Sequence, residues 1–293
     1  MTTVAVVAHR RKKLGRGLGQ LRKVLAAQGF DAPLWFEVNK SRKAPKRARQ
    51  ALEQGADLVL VWGGDGMVQR CIDVLAGSGA TVGILPAGTA NLFATNLGIP
   101  QDLESAVQIA LHGTPRPLDV GVINGERFGV MAGTGLDAEM IKEADRGLKD
   151  RMGKAAYVWT GVKAAASAPQ RARIRVDGRK WFDGPASCIL FANVSQVGSG
   201  VTAFAAAEPD DGVLDVGVVT ASTPWEWARV AALMLAGRPT RSKFVQVTRA
   251  HRVDVRLSHK APYELDGGDR KATKRLKVRV EPAAITVCVP AAS

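Results

Sequence analysis

Leu58-Val59-Leu60-Val61-Trp62-Gly63-Gly64-Asp65-Gly66-Met67 is the stretch on which the fold turns. Five apolar residues in succession leave no polar face for water, so they read as a strand covered on both sides, as in a parallel sheet. Glycines follow at once, and after Gly66 a helical pattern sets Met67, Cys71, Val74 and Leu75 inward. Beyond the carboxyl ends of such strands, open sheets bind ligands. Glycine lets the backbone approach a phosphate, and the helix N-terminus adds unpaired N–H groups and a partial positive charge. Asp65 is the odd member, since a carboxylate repels phosphate unless it holds Mg²⁺ or takes a proton from an attacking hydroxyl. Its plainer role is a helix cap. No Gly-Lys-Ser/Thr follows, so this is not a Walker A loop.

Outward from this loop, strands and helices alternate. Val4–Ala8, Leu34–Val38 and Val82–Leu85 read as further strands. Leu14, Leu18, Leu21 and Leu25 recur at helical spacing before Gly29, Ala44–Glu53 is helical and basic, and Leu103 to Leu111 form another amphipathic helix. Alternation of this kind predicts a parallel sheet with right-handed crossovers. Beyond residue 120 the pattern changes. Val120–Ile123, Arg127–Ala132, Arg173–Val176, Ser187–Val194, Leu214–Val219, Phe244–Arg249, Arg252–Leu257, Arg275–Val280 and Ile285–Val289 are strand-like. Asn124-Gly125, Asp177-Gly178 and Asp211-Gly212 mark turns, and Lys154–Ala168 and Pro224–Leu235 are helical. The expected architecture is an N-terminal open parallel-sheet α/β domain, residues 1–122, to which 283–293 can return, and a β-rich, sandwich-like antiparallel domain over 123–282.

Composition sets the outer limits. The chain has 293 residues, 46% hydrophobic and 23% charged, which excludes a disordered polymer. Its apolar runs stop well short of the roughly 18 residues a bilayer helix needs. Met1–Ala8 lacks a preceding basic region, the wrong order for a secretory signal, and the expected location is cytoplasmic. Cys71, Cys188 and Cys288 lie far apart in apolar segments and read as buried free thiols. The net charge of +14 is uneven: residues 1–50 carry thirteen Lys/Arg against two acids, and 238–279 thirteen against four. Such fields attract nucleic acid, anionic membranes or phosphorylated ligands. Trp225 and Trp227 open an amphipathic helix that can rest at a membrane interface or pack into the core.

A second loop, Leu85-Pro86-Ala87-Gly88-Thr89-Ala90-Asn91-Leu92, again runs from strand through turn to helix. Thr89 and Asn91 can bond phosphate oxygens or cap the helix. Two such loops on one sheet edge form an anion-binding crevice. Together they resemble the diacylglycerol kinase catalytic-domain family, which is related to sphingosine and ceramide kinases. Pro117-Leu118-Asp119-Val120-Gly121, Ala192-Asn193, Gly198-Ser199-Gly200, the run from Glu208 to Asp215, and Tyr263-Glu264-Leu265-Asp266-Gly267-Gly268-Asp269 extend the resemblance over nearly the whole chain. NAD kinases share the first loop but pair it with an Asn-Glu motif absent here.

The resemblance implies an ATP-dependent lipid kinase, with diacylglycerol or a related lipid accepting phosphate at the anionic inner face of a membrane. It implies ATP on Gly63, Gly64, Asp65, Gly66, Met67, Gly88, Thr89 and Asn91, with Arg10 and Arg11 replacing the family's usual N-terminal phosphate loop. Asp65 and Asp266 are the implied catalytic acids, and Asp269 can substitute for the family glutamate replaced by Gly268 if the loop is shifted by one residue. A structural Mg²⁺ is implied at Asp211, with Glu208 and Val213 carbonyls and Asp119 behind it. A homodimer fits the family; nucleic acid is a disfavoured partner. The chain departs from the family at Met67 (usually Thr), Arg70 (Glu), Leu92 (Asp) and Gly268 (the Glu of a closing Asp-Gly-Glu). Two alternatives therefore stand beside the kinase: a catalytically impaired nucleotide- or lipid-binding relative, and a basic nucleic-acid-binding protein.

Overall fold

The computed structural model describes residues 2–135, 169–196 and 202–291. The expected helix at Lys154–Ala168 and the Gly198-Ser199-Gly200 motif lie outside the described residues. The chain divides into two compact units, Met1–Val120 with Pro282–Ser293, and Gly121–Glu281.

In the first unit β1 (Val4–His9), β2 (Leu34–Val38), β3 (Leu58–Gly63) and β4 (Thr81–Pro86) are parallel, in the order β4-β3-β1-β2. Every residue of β1 and β3 is buried, as expected for strands covered on both faces. Trp62 pairs with Ala8 on one side and Leu85 on the other, and Gly63 pairs with Pro86. The ends of β1, β3 and β4 therefore share one edge. Helices α1 (Leu18–Ala27), α2 (Ala44–Glu53), α3 (Asp65–Leu75), α4 (Leu92–Asn96) and α5 (Leu103–His112) connect the strands. Leu14 is buried but precedes α1, because Gly15 and Gly17 at positive φ delay the helix start. The chain's last segment pairs in parallel with β4 through Thr286 and Val287.

The second unit is antiparallel. β5 (Thr114–Ile123) enters it and pairs with β6 (Glu126–Phe128). One run joins β7 (Met131–Thr134), β10 (Cys188–Ala192), β11 (Leu214–Val219) and β12 (Val245–Ala250). Another joins β8 (Gln170–Val176), β9 (Arg179–Ala186), β13 (Arg252–Leu265) and β14 (Gly268–Val289). β13 serves both runs: Val253–Leu257 pairs with β8, and Tyr263–Leu265 pairs with β7. Register shifts between Arg256 and Tyr263 make that bend possible. Phe128, Ile174, Phe191, Val216, Val255 and Leu276 fill the interior.

Several expectations are corrected. β9 was not anticipated, since its Asp183-Gly184-Pro185 carries turn chemistry inside a strand. β13 and β14 are far longer than Arg252–Leu257, Arg275–Val280 and Ile285–Val289. Helix α6 (Pro224–Leu235) separates the two tryptophans: Trp227 is buried, whereas Trp225 is 81% exposed. All three cysteines are buried and free.

Candidate nucleotide site

Gly64 caps α3 with extended backbone, and Asp65 opens that helix, two residues earlier than its apolar pattern implies. The β3 and β4 loops touch. A Cβ on Gly64 would lie 2.9 Å from the Gly88 Cα, and one on Gly88 would overlap Gly64 more severely. Ala87 N–H donates to the Gly63 carbonyl at 2.9 Å, closing the gap between them. Glycine is required at both positions by this close backbone approach rather than by a left-handed φ.

Asn91 sets the shape of the second loop. It is 2% exposed and adopts φ 49°, a left-handed conformation that Asn tolerates better than most residues. Its Oδ1 accepts the Gly88 N–H at 2.8 Å, and its Nδ2 donates to the Gly88 carbonyl at 3.0 Å. Both polar ends of Asn91 thus brace the loop. Thr89, between the braced residues, is exposed with Gly66 and Arg11 on the same sheet edge.

Asp65 links the loops instead of capping its own helix. Its Oδ1 accepts the Phe93 N–H at 3.0 Å, holding the first turn of α4. Burial pushes its carboxyl above the ordinary carboxylate range, and the amides of Phe93, Leu92, Asp65 and Asn91 draw it partly back. Met67 presents neither part of itself: its side chain is buried against Gly63, and its amide donates to the Gly64 carbonyl at 2.8 Å.

At the end of β1, Arg10 is ion-paired, Nε to Glu37 Oε2 at 2.9 Å. His9 has its pKa lowered, first by burial and then by Lys12, and its Nδ1 accepts the Arg11 N–H at 3.3 Å. Trp62 Nε1 donates to the Lys12 carbonyl at 3.2 Å, tying this basic loop to β3.

The remaining candidates sit on other elements of the two units. In the first unit, Asp119 is buried and its Oδ1 accepts the Ala283 N–H at 2.8 Å. In the second unit, Asp266 occupies a two-residue β13–β14 turn and is 7% exposed. Its carboxylate accepts N–H groups from Gly129, Val130 and Met131 at 2.7, 2.9 and 3.0 Å. Asp269 is exposed on β14 opposite Glu264.

Among the expected Mg²⁺ ligands, Asp211 is engaged by its own loop and by an arginine. Asp211 Oδ1 accepts the Val213 N–H at 3.1 Å, while Arg249 Nη2 closes on Asp211 Oδ2. Arg249 Nε also lies 3.6 Å from Asp215 Oδ2, so a guanidinium occupies the position between these carboxylates. Glu208 is exposed. No group of three His, Cys, Asp or Glu suited to a metal occurs among the described residues. Sequence reading missed Arg249 because it is 38 residues from Asp211 and joins it only through the β11–β12 pairing.

Two family models cover most of the chain: a diacylglycerol kinase catalytic domain over residues 8–123, and a YegS C-terminal NAD kinase beta sandwich-like domain over 130–289. The diacylglycerol kinase of Bacillus subtilis is 33% identical over 232 residues, spanning 76% of this chain and 75% of its own. A putative diacylglycerol kinase from Bacillus anthracis superposes with a TM-score of 0.80 at 20% identity, covering 99% of this chain and 97% of that one. An NAD kinase from Archaeoglobus fulgidus, solved in complex with ATP, gives 0.53 at 13% identity, covering 98% and 94%.

Proposed function

The chain belongs to the diacylglycerol kinase catalytic-domain family, and on that premise we propose that it transfers the terminal phosphoryl group of ATP to the hydroxyl of a lipid, diacylglycerol first among the acceptors. The observation that carries this reading is the backbone contact between Gly64 and Gly88, which sets the two glycine loops side by side at one sheet edge. A fold neighbour, the archaeal NAD kinase, was solved in complex with ATP, which supports ATP as the nucleotide.

Phosphoryl transfer needs positioning and charge neutralisation more than covalent help. Gly64 and Gly88 hold the two loops together backbone to backbone, Asn91 keeps the second loop in shape, and the exposed Gly66 and Thr89 face the phosphates. The Thr89 hydroxyl and the Arg11 guanidinium supply a hydrogen bond and a positive charge to phosphate oxygens. Asp65 is a positioning residue that locks α4 against the first loop. Mg²⁺ enters with ATP as part of the substrate complex. The second-unit acids divide: Asp266 braces the Gly129–Met131 backbone, and Asp269 is the exposed carboxylate that can receive the acceptor's proton. The protein works at the membrane where its lipid resides, on the cytoplasmic side.

A second reading rests on Gly268, which brings no carboxylate to the closing turn: nucleotide binding without turnover. Radiolabelled ATP incubated with diacylglycerol, sphingoid and polyprenol acceptors in mixed micelles separates the two. Label in one lipid supports the kinase. ATP binding by calorimetry with no labelled lipid supports the inactive relative and rejects the kinase.

A further inference from the structure

We infer that the outward face of the β9-β8-β13-β14 ladder is a docking surface for the anionic phospholipid bilayer. Alternation along these strands places Ile174, Val253, Val255, Leu276 and Val278 inside and the charged residues between them outside. The register then aligns the outer residues in rows. Arg279 pairs with Arg252; Lys277, Asp254, Arg175 and Lys180 form the next row; Arg275, Arg256, Arg173 and Asp183 form the third. Eight cations thus face two acids across these rows.

Like charges directly opposite each other destabilise a sheet. Here Arg252 faces Arg279, and Arg256 is flanked by both Arg275 and Arg173. The acids offset this only in part: Glu281 pairs with Arg279, and Asp254 lies between Lys277 and Arg175. Asp183 is shared among Arg171 at 2.9 Å, Lys180 at 3.1 Å and Arg173 at 3.7 Å. Charge arranged against the fold's own stability calls for an external counter-charge. Two half-open grooves, of about 680 and 440 Å³, lie between the rows and meet at Asp254 and Lys277. Arg252 and Arg279 line the first, and Arg173, Arg175 and Arg256 the second, room enough for phosphate headgroups.

Several features select a bilayer over other polyanions. No aromatic residue for base stacking lies in these rows, whose members are eight Arg or Lys and two Asp. A second copy would bring the same sign of charge. The lipid-kinase reading, on which the choice of bilayer rests, puts the protein's acceptor in a membrane. Each basic residue near an anionic leaflet strengthens binding several-fold.

The test is co-sedimentation, without nucleotide, of the full chain with phosphatidylcholine vesicles containing or lacking phosphatidylglycerol. Binding is expected only to the anionic vesicles and to weaken steeply with salt. Arg173→Gln, Arg256→Gln and Arg275→Gln together should weaken it about a hundred-fold. The triple variant should melt at the same temperature as wild type or higher, because the repelling pairs are gone. Arg42→Gln, Lys46→Gln and Arg49→Gln, on α2 and the turn before it, make the same change in net charge and should weaken binding much less. Retained vesicle binding in the ladder variant, equal loss in the α2 variant, or loss of duplex-DNA binding with vesicle binding intact would each overturn the inference. Vesicle binding by a protein that phosphorylates no lipid would leave the docking surface standing and remove only the kinase.

Discussion

Gly64 and Gly88 stand so close that a methyl group on Gly64 would reach within 2.9 Å of the Gly88 Cα. Neither loop can carry a side chain there without moving the other, so the loops after β3 and β4 meet backbone to backbone at that point. Gly66, two residues away, has nothing within 4 Å of the Cβ it lacks.

Gly64→Ala is therefore expected to cost about 1–3 kcal/mol through overpacking. Gly66→Ala, inside α3, should gain up to about 1 kcal/mol from helix propensity. Urea midpoints of the two variants read the contrast directly, and equal effects would mean that the loops are not in contact.

Asp65 holds Phe93 through a hydrogen-bond acceptor, which an asparagine Oδ1 also supplies. Asp65→Ala should lower kcat/KM by about a hundred-fold, in the range of a lost positioning contact, while Asp65→Asn stays within about tenfold of wild type. If Asp65 removed the acceptor's proton, the two variants would be equally inactive.

Arg10 is ion-paired to Glu37, whereas Arg11 is exposed at the end of β1. Arg11→Ala should raise the KM for ATP by about tenfold, a charge-assisted contact's worth, and Arg10→Ala by no more than about twofold. A reversed order would place Arg10, freed from Glu37, on the phosphates.

Asp266→Ala leaves three backbone N–H groups without their acceptor and should cost about 3 kcal/mol or more. Asp269→Asn should leave stability unchanged and lower kcat. Paired melting and turnover measurements distinguish the brace from the proton acceptor, and a catalytic loss without unfolding in Asp266→Ala would reverse their roles.

Burial raises Asp215 to about 6 from its ordinary 3.8. Between those values the folded state holds a proton that the unfolded chain releases. Stability should therefore fall as pH rises from about 4 to about 6, by roughly 2 kcal/mol; Asp65, also raised, acts in the same direction. Arg249→Ala removes the nearby cation and should make the fall larger, as denaturant midpoints across that range would register. A flat profile would show that Arg249 already compensates the buried charge.

Much of this was legible in order of residues. The bounds of α2 and α6 are those expected from the sequence, Ala44–Glu53 and Pro224–Leu235. The glycine loops announce themselves because close backbone approach restricts residue type. Partners chosen by folding do not: Asp65 takes the amide of Phe93, 28 residues on, and any residue there would offer the same N–H. The middle of β13, Ser258-His259-Lys260-Ala261-Pro262, is polar and bent where the strand changes partners, so its length was hidden. The basic rows appear only when register sets Arg256 between Arg275 and Arg173.

The most direct test of the paired-loop site is calorimetric titration of Mg-ATP into wild type and Gly88→Val. Wild type should bind, and the valine variant, with its second unit still folded by circular dichroism, should give no binding heat. Undiminished ATP affinity in Gly88→Val would contradict a nucleotide seated where Gly64 meets Gly88.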